Sequence, residues 1–244
     1  MNSSALKEFL KRGLGTIPNL PERYQDWVGK SPYGSTYQLD QLVQALPGWI
    51  HASNNPDIQV DPYPKRILMV AYLRWWLEYA VALGLMLNSV GHTIDLGLIP
   101  YYRWTRPLTE FDARRRQHYV RQLLKEQGLT FPVLDLYRGG VNDLPSDLSA
   151  AMQRQSEIDV QYTLQREDIE PDAAHQVLYQ LRLERNLAAA RATYALLRSG
   201  DYDTVIIPNG SILEFGAVYR VARYLDVPVV TYEFGEQKPV SYTH

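Results

Sequence analysis

The stretch RILMVAYLRWWLEYAVALGLMLNSVGHTIDLGLIP, residues 66–100, decides the fold. It opens with a short apolar run, RILMVAY (66–72), which predicts a strand. Trp76, Ala80, Leu83, Leu87 and Val90 then repeat at spacings of four and three, one face of a helix. TIDLGLIP (93–100) is a second apolar run. Strand, helix and strand in direct succession predict a βαβ unit and a parallel sheet. The apolar part is long enough to suggest a membrane span. Arg74 and Glu78 interrupt it, however, and Tyr79 to Leu87 is too short to cross a bilayer.

The alternation continues outward from that unit. Thr109 with Asp112 opens a helix to about Gln127, and Gly128 ends it. FPVLDLY (131–137) is a third strand. Residues 146–170 are polar with weak periodicity and predict a helix broken near Pro171. Leu183, Leu187, Ala190, Tyr194 and Leu197 stripe a long helix closed by Gly200. TVIIP (204–208) is the fourth strand, Phe215, Val218, Ala222 and Leu225 mark the next helix, and VPVVTYE (227–233) is the fifth strand. The expected class is α/β, a Rossmann-like, doubly wound parallel sheet covered on both faces. Residues 1–64 differ. They are rich in Pro, Gly, Ser, Asn and Gln, with short helices expected near 4–12 and 39–46 and a linker at NNPDIQVDPYP (54–64). They read as an extension laid on a domain spanning 65–244.

Composition narrows the function classes. The chain has 244 residues, a hydrophobic fraction of 45% and a formal net charge of -2. Nothing in that balance points to nucleic acid. With no cysteine, disulfides and thiolate metal sites are excluded, and a reducing, cytoplasmic setting fits. The first residues lack the apolar core of a signal peptide. The five histidines show no ligand spacing, so no metal is expected. Asp201-Tyr202-Asp203 has a D-x-D metal spacing, but it precedes its strand and reads as a turn at the amino edge. His92 sits at the same edge.

Ligands of open parallel sheets bind at the carboxyl ends of the strands. Three segments arrive there carrying chemistry. In AYLRWWLEY (71–79), Arg74 is a candidate for an anionic ligand beside a helix N-terminus, and Glu78 is a candidate base. An i, i+4 ion pair between them is the plainer alternative. G-x-G-x-x-G and G-x-x-x-x-G-K-[ST] are absent, which argues against a backbone phosphate cradle. In PNGSILEFG (208–216), Ser211 and Glu214 fit a capping box. Gly210 supplies either a positive φ or a close backbone approach, and Asn209 is placed either to hydrogen-bond sugar hydroxyls or to close its own turn. In TYEFGEQ (231–237), Glu233 follows a run read as buried and Gly235 allows a sharp turn. Glu233 is a candidate ligand contact or general base, or a solvated strand end. Arg114-Arg115-Arg116 reads as a solvated helix face, with a phosphate or membrane-surface contact as the alternative. Most of the tryptophans read as packing residues, though aromatic rings also stack on sugars.

LGLMLNSVGHTIDLGLI (83–99) resembles the start of the GT-B glycosyltransferases, where a first helix ends in Gly-His and a second strand follows. IIPNGSILEFGAVYRVARYLDVPVVTYEFG (206–235) resembles a subset of capsule and cell-surface polysaccharide glycosyltransferases, in which Asn-Gly ends one strand and Glu-x-Gly the next. That subset often has Arg after the Asn-Gly and inside the Glu-x-Gly; here Ser211 and Phe234 occupy those places. The resemblance covers about residues 66–235 and implies the amino-terminal, acceptor-side half of a two-domain enzyme. The implied activity is sugar transfer from a nucleotide-sugar to a surface polysaccharide or lipid-linked acceptor. Glu233 or Glu78 would be the base, Asn209 would orient an acceptor hydroxyl, and Arg74 would meet a phosphate. No cofactor or metal is implied. The implied partners are a saccharide or lipid-linked acceptor and a donor-binding domain or subunit, because the chain is too short to hold both halves. A non-catalytic nucleotide- or sugar-binding module is the alternative. The extension 1–64 is the segment expected to make any peripheral membrane contact.

Overall fold

The computed structural model describes residues 3–33, 39–72, 75–101, 103–167 and 172–233. Three helices come first: α1 (Ser3–Gly15), α2 (Leu20–Val28) and α3 (Asp40–Ser53). The alternating part follows as β1 (Arg66–Ala71), α4 (Trp75–Ser89), β2 (Thr93–Leu98), α5 (Glu110–Glu126) and β3 (Val133–Asp135). Then come α6 (Ser146–Leu164), α7 (Ala173–Ser199), β4 (Thr204–Pro208), α8 (Leu213–Tyr224) and β5 (Val229–Tyr232). All strand pairings are parallel, in the order β3-β2-β1-β4-β5. This is the Rossmann-like α/β arrangement that the sequence predicts.

Strand pleating explains why the sheet needs two covers. Ile67, Met69 and Ala71 face a core that holds Leu77 and Val81 of α4, Val120 and Leu124 of α5, and Leu42 of α3. Leu68 and Val70 face the other core, with Met152 of α6, Ala190 of α7 and Val218 of α8. Successive residues point to opposite faces, so an unbroken apolar strand is buried on both. The chain changes face between β3 and β4. The crossing point of the topology therefore lies between β1 and β4, where such sheets open a crevice at the carboxyl edge.

Several expectations change in detail. The long helix α7 buries Arg182, Arg185, Asn186 and Thr193 beside Ala190, Tyr194 and Leu197, while Leu183 and Leu187 are only partly buried. On α4 the buried face is Leu77, Ala80, Val81 and Leu85, one step from the predicted stripe. That helix is apolar nearly all round, so its periodicity does not fix its rotation. β5 is an edge strand among the described residues, and Val230 is 51% exposed; the run before Glu233 is thus not buried. A helix at Leu20–Val28 was not anticipated. It has proline in its first turn and closes on Gly29 in the left-handed conformation, both standard boundary signals.

The triple arginine is not a solvated face. Arg114 is buried and donates to both carboxylate oxygens of Glu22, at 2.7 and 2.6 Å, and to the carbonyls of Gly15 and Ile17. Arg115 donates to Gln25 and lies over the Tyr24 ring, and Arg116 lies over the Tyr33 ring. Burial opposes the charge of Glu22, yet the Arg114 guanidinium outweighs it and holds the carboxyl below its usual range. A charge run on one helix is read as solvated when the segment that covers it is distant in sequence.

Candidate functional site

A cleft of about 330 Å³ opens at the carboxyl ends of β4 and β5. Trp76, Trp104, Tyr162, Phe215 and Tyr232 wall it, and Asn209 and Glu233 supply its polar groups. Each wall has a local cause. Asn209 and Glu233 directly follow β4 and β5. Trp76 and Phe215 come from the first turns of α4 and α8, and their rings meet edge to face at 6.0 Å. Tyr162 comes from α6, with its ring 6.0 Å from that of Trp104.

Asn209 does two things at once. Its φ is 43°, left-handed, and its Oδ1 accepts from the Ser211 amide at 2.9 Å and the Ser211 hydroxyl at 2.6 Å. That is the turn role. Its Nδ2 donates to Glu233 Oε1 at 3.0 Å, which is the site role. The amide therefore positions Glu233 and is largely occupied in doing so. At Gly210 the close-approach alternative applies: a Cβ there would lie 2.9 Å from the Tyr219 ring and 3.0 Å from Thr231 Cγ2. Glu78 is half-buried in the first turn of α4 and does not wall this cleft. Arg74 and Gly235, with Phe234, lie outside the described residues. Among the candidates, the structure brings together Asn209, Gly210 and Glu233.

Ser211 and Glu214 do not form a capping box. Ser211 bonds Asn209, and no side chain of the Ile212 cap position bonds the helix end. The helix is capped from outside. The Leu213 amide donates to Asp159 Oδ1 of α6 at 2.5 Å, and the Glu214 amide donates to the Tyr72 hydroxyl at 3.1 Å. Leu213 has φ 56°, a costly conformation for a leucine. Asp159 holds it there.

Asp159 belongs to a buried polar cluster beneath the cleft that sequence reasoning missed. It also accepts from Gln155 at 2.9 Å and from Asn186 at 2.7 Å. Gln155 in turn donates to the Ser211 carbonyl at 2.9 Å. Arg182, fully buried, lies 3.5 Å from Asp159 and 2.9 Å from Glu214. Burial pushes the Glu214 carboxyl up to about 8. One guanidinium thus faces two carboxyl groups, and a single proton on Glu214 leaves the cluster neutral. A signal did exist. Gln155, Ser156 and Asp159 fall on the same helical stripe as Leu148, Met152 and Val160, and polar residues on an apolar stripe mark a buried network.

A second cleft, of about 660 Å³, lies at the carboxyl ends of β2 and β3. Tyr101, Tyr137, Glu110, Glu184 and Arg185 line it, with Glu8 and Arg12 of α1 on its outer side. Burial lowers the Arg185 guanidinium to about 10 and raises the Tyr101 and Tyr137 phenols. Arg185 donates to the carbonyls of Arg103, at 3.0 Å, and of Arg106, and stacks 4.0 Å over Tyr101. It thereby fixes the loop that carries Trp104 into the first cleft.

Among the described residues no group of His, Asp and Glu is disposed to hold a metal ion, and no helix is long and apolar enough to cross a membrane. No protein-family model, curated protein or solved structure matches the chain.

Proposed function

We propose that this chain is the acceptor-binding half of a glycosyltransferase, seating a saccharide in the aromatic cleft beside Glu233. One observation carries the reading: a carboxylate oriented by Asn209 stands at the mouth of an aromatic cleft beside the topological crossing of a parallel sheet. Aromatic faces stack on the apolar faces of sugar rings. A carboxylate at 3 Å from an acceptor hydroxyl can take its proton as the oxygen attacks the anomeric carbon. The leaving nucleoside diphosphate would depart with the donor's bond electrons, stabilised by groups outside this cleft. The acceptor is a surface polysaccharide or its lipid-linked precursor, and the donor a nucleotide-sugar held by a second domain or subunit.

The test is a titration of the protein with oligosaccharides and nucleotide-sugars, followed by tryptophan fluorescence. A saccharide that quenches the emission should bind about two- to tenfold more weakly to Trp104→Ala, the scale of losing one stacked aromatic. Glu233→Gln should retain most of the binding and lose transfer in the assembled enzyme. Quenching that survives Trp104→Ala unchanged, or transfer that survives Glu233→Gln, would remove the cleft or the carboxylate from the mechanism.

A further inference from the structure

The helix α1 is amphipathic, and it is mounted with its apolar side outward. Leu6, Phe9, Leu10 and Leu14 recur at i, i+3, i+4 and i+8, which places them on one arc at about 3.6 residues per turn. Such an arc ordinarily faces a core. Here all four are exposed, Phe9 by 70% and Leu10 by 50%. The opposite side of the helix makes the attachment. Lys11 pairs with Asp112 of α5 at 2.8 Å, and Gly15 lies so close to α5 that a Cβ would be 2.6 Å from the Phe111 amide nitrogen. Glu8, on the side away from the apolar arc, and Arg12, at the edge of that arc, line the second cleft.

The attachment is specific, so the outward face is a property of the fold. Arg114 clamps the end of the helix and the segment after it through the Gly15 and Ile17 carbonyls and Glu22. Charge on the helix selects what the exposed arc meets. Lys7 and Arg12 stand at its two borders, while Glu8, the one acidic residue of this helix, lies on the inner side. An apolar arc edged by cations suits the headgroup–acyl boundary of an anionic bilayer, where rings and alkyl chains sink and cationic ends stay with the phosphates. Trp27 of α2, 81% exposed, is of the residue type that favours that boundary.

We infer that α1 is a membrane-surface anchor, whose Leu6–Phe9–Leu10–Leu14 face inserts shallowly into an anionic lipid surface. The inference stands apart from the saccharide reading of the first cleft. If both hold, the second cleft opens beside the bilayer, since the inner side of the anchoring helix walls it.

The experiment is flotation of the full chain with vesicles of phosphatidylcholine containing phosphatidylglycerol, and with pure phosphatidylcholine. The protein should float with the anionic vesicles, and less as salt is raised. Phe9→Glu with Leu10→Glu should weaken binding by at least about tenfold, the scale of withdrawing one large apolar side chain from an apolar phase. Both positions are exposed, and an unchanged thermal midpoint will show that the fold is intact. Lys7→Glu should weaken binding to anionic vesicles alone. A wild type that fails to float, or a double variant that floats equally well, overturns the proposal. So does a concentration-dependent dimer in light scattering that the double variant abolishes, because the face would then be an interface between copies.

Discussion

At the amino edge of the sheet, Asp95 spends its carboxylate within the protein. Arg66 donates to Oδ2 at 3.1 and 2.8 Å and the Tyr202 hydroxyl at 2.6 Å, while Asp203 accepts the Arg66 amide at 2.7 Å. His92 accepts the Lys65 amide there. At the carboxyl edge, Glu233 takes one hydrogen bond from Asn209 and stays exposed beside five aromatic rings. The edges use the same residue types and differ in whether their capacity is already consumed. A carboxylate with several internal partners stabilises the fold. One held, among the described residues, by a single oriented donor over a cleft retains acceptor sites for something else. The D-x-D spacing at 201–203 illustrates the first case, with Tyr202 and Asp203 both engaged at the closed edge.

The sharpest way to break the contrast is from below. Asp159→Ala removes the carboxylate that receives Leu213 and faces Arg182, leaving a buried guanidinium underbalanced and a strained turn unsupported. A loss of about 3–5 kcal/mol is expected, read from urea midpoints. A loss near zero would mean that the open edge does not rest on this cluster. At the closed edge, Asp95→Asn leaves Arg66 and Tyr202 with a weaker acceptor. It should cost about 1–3 kcal/mol without altering saccharide titrations in the cleft. A change in those titrations would show that the edges are coupled.

The smallest effect at neutral pH is expected for Glu214→Gln, because a protonated carboxyl and an amide are close in size and charge. The difference appears on titration. A carboxyl raised in the folded state, from its ordinary 4.5 to about 8, contributes stability that is fully present below pH 4.5. That stability is lost as pH rises towards 8. The wild type should therefore lose stability across this window more steeply than the variant, by up to about 1.4 kcal/mol per pH unit. Parallel curves from urea melts at pH 5.5, 6.5 and 7.5 would place the proton elsewhere.

The sheet was legible because its evidence is local. Arg66–Ala71, Thr93–Leu98 and Thr204–Pro208 are short, mainly apolar runs, and Thr109 caps α5 through the Asp112 amide as its sequence implies. Asn209 and Glu233 could be placed at one edge from strand order alone, since each follows a strand. What stayed hidden depends on distant partners. Asp159, Arg182 and Glu214 sit on three helices and acquire meaning only when packed together. A local pattern, S-x-x-E, offered Glu214 a different role, and burial overrode it. Arg114 was likewise misread because its partners, Gly15, Ile17 and Glu22, lie far away in sequence.

The buried cluster also makes a hydrogen ion a stoichiometric component of the fold. Near pH 7 the folded chain keeps a proton on Glu214 that an unfolded glutamate gives up, so unfolding releases close to one proton to the buffer. The calorimetric heat of unfolding should then vary with the ionisation heat of the buffer chosen. In that sense the medium takes part in closing the helices beneath the cleft.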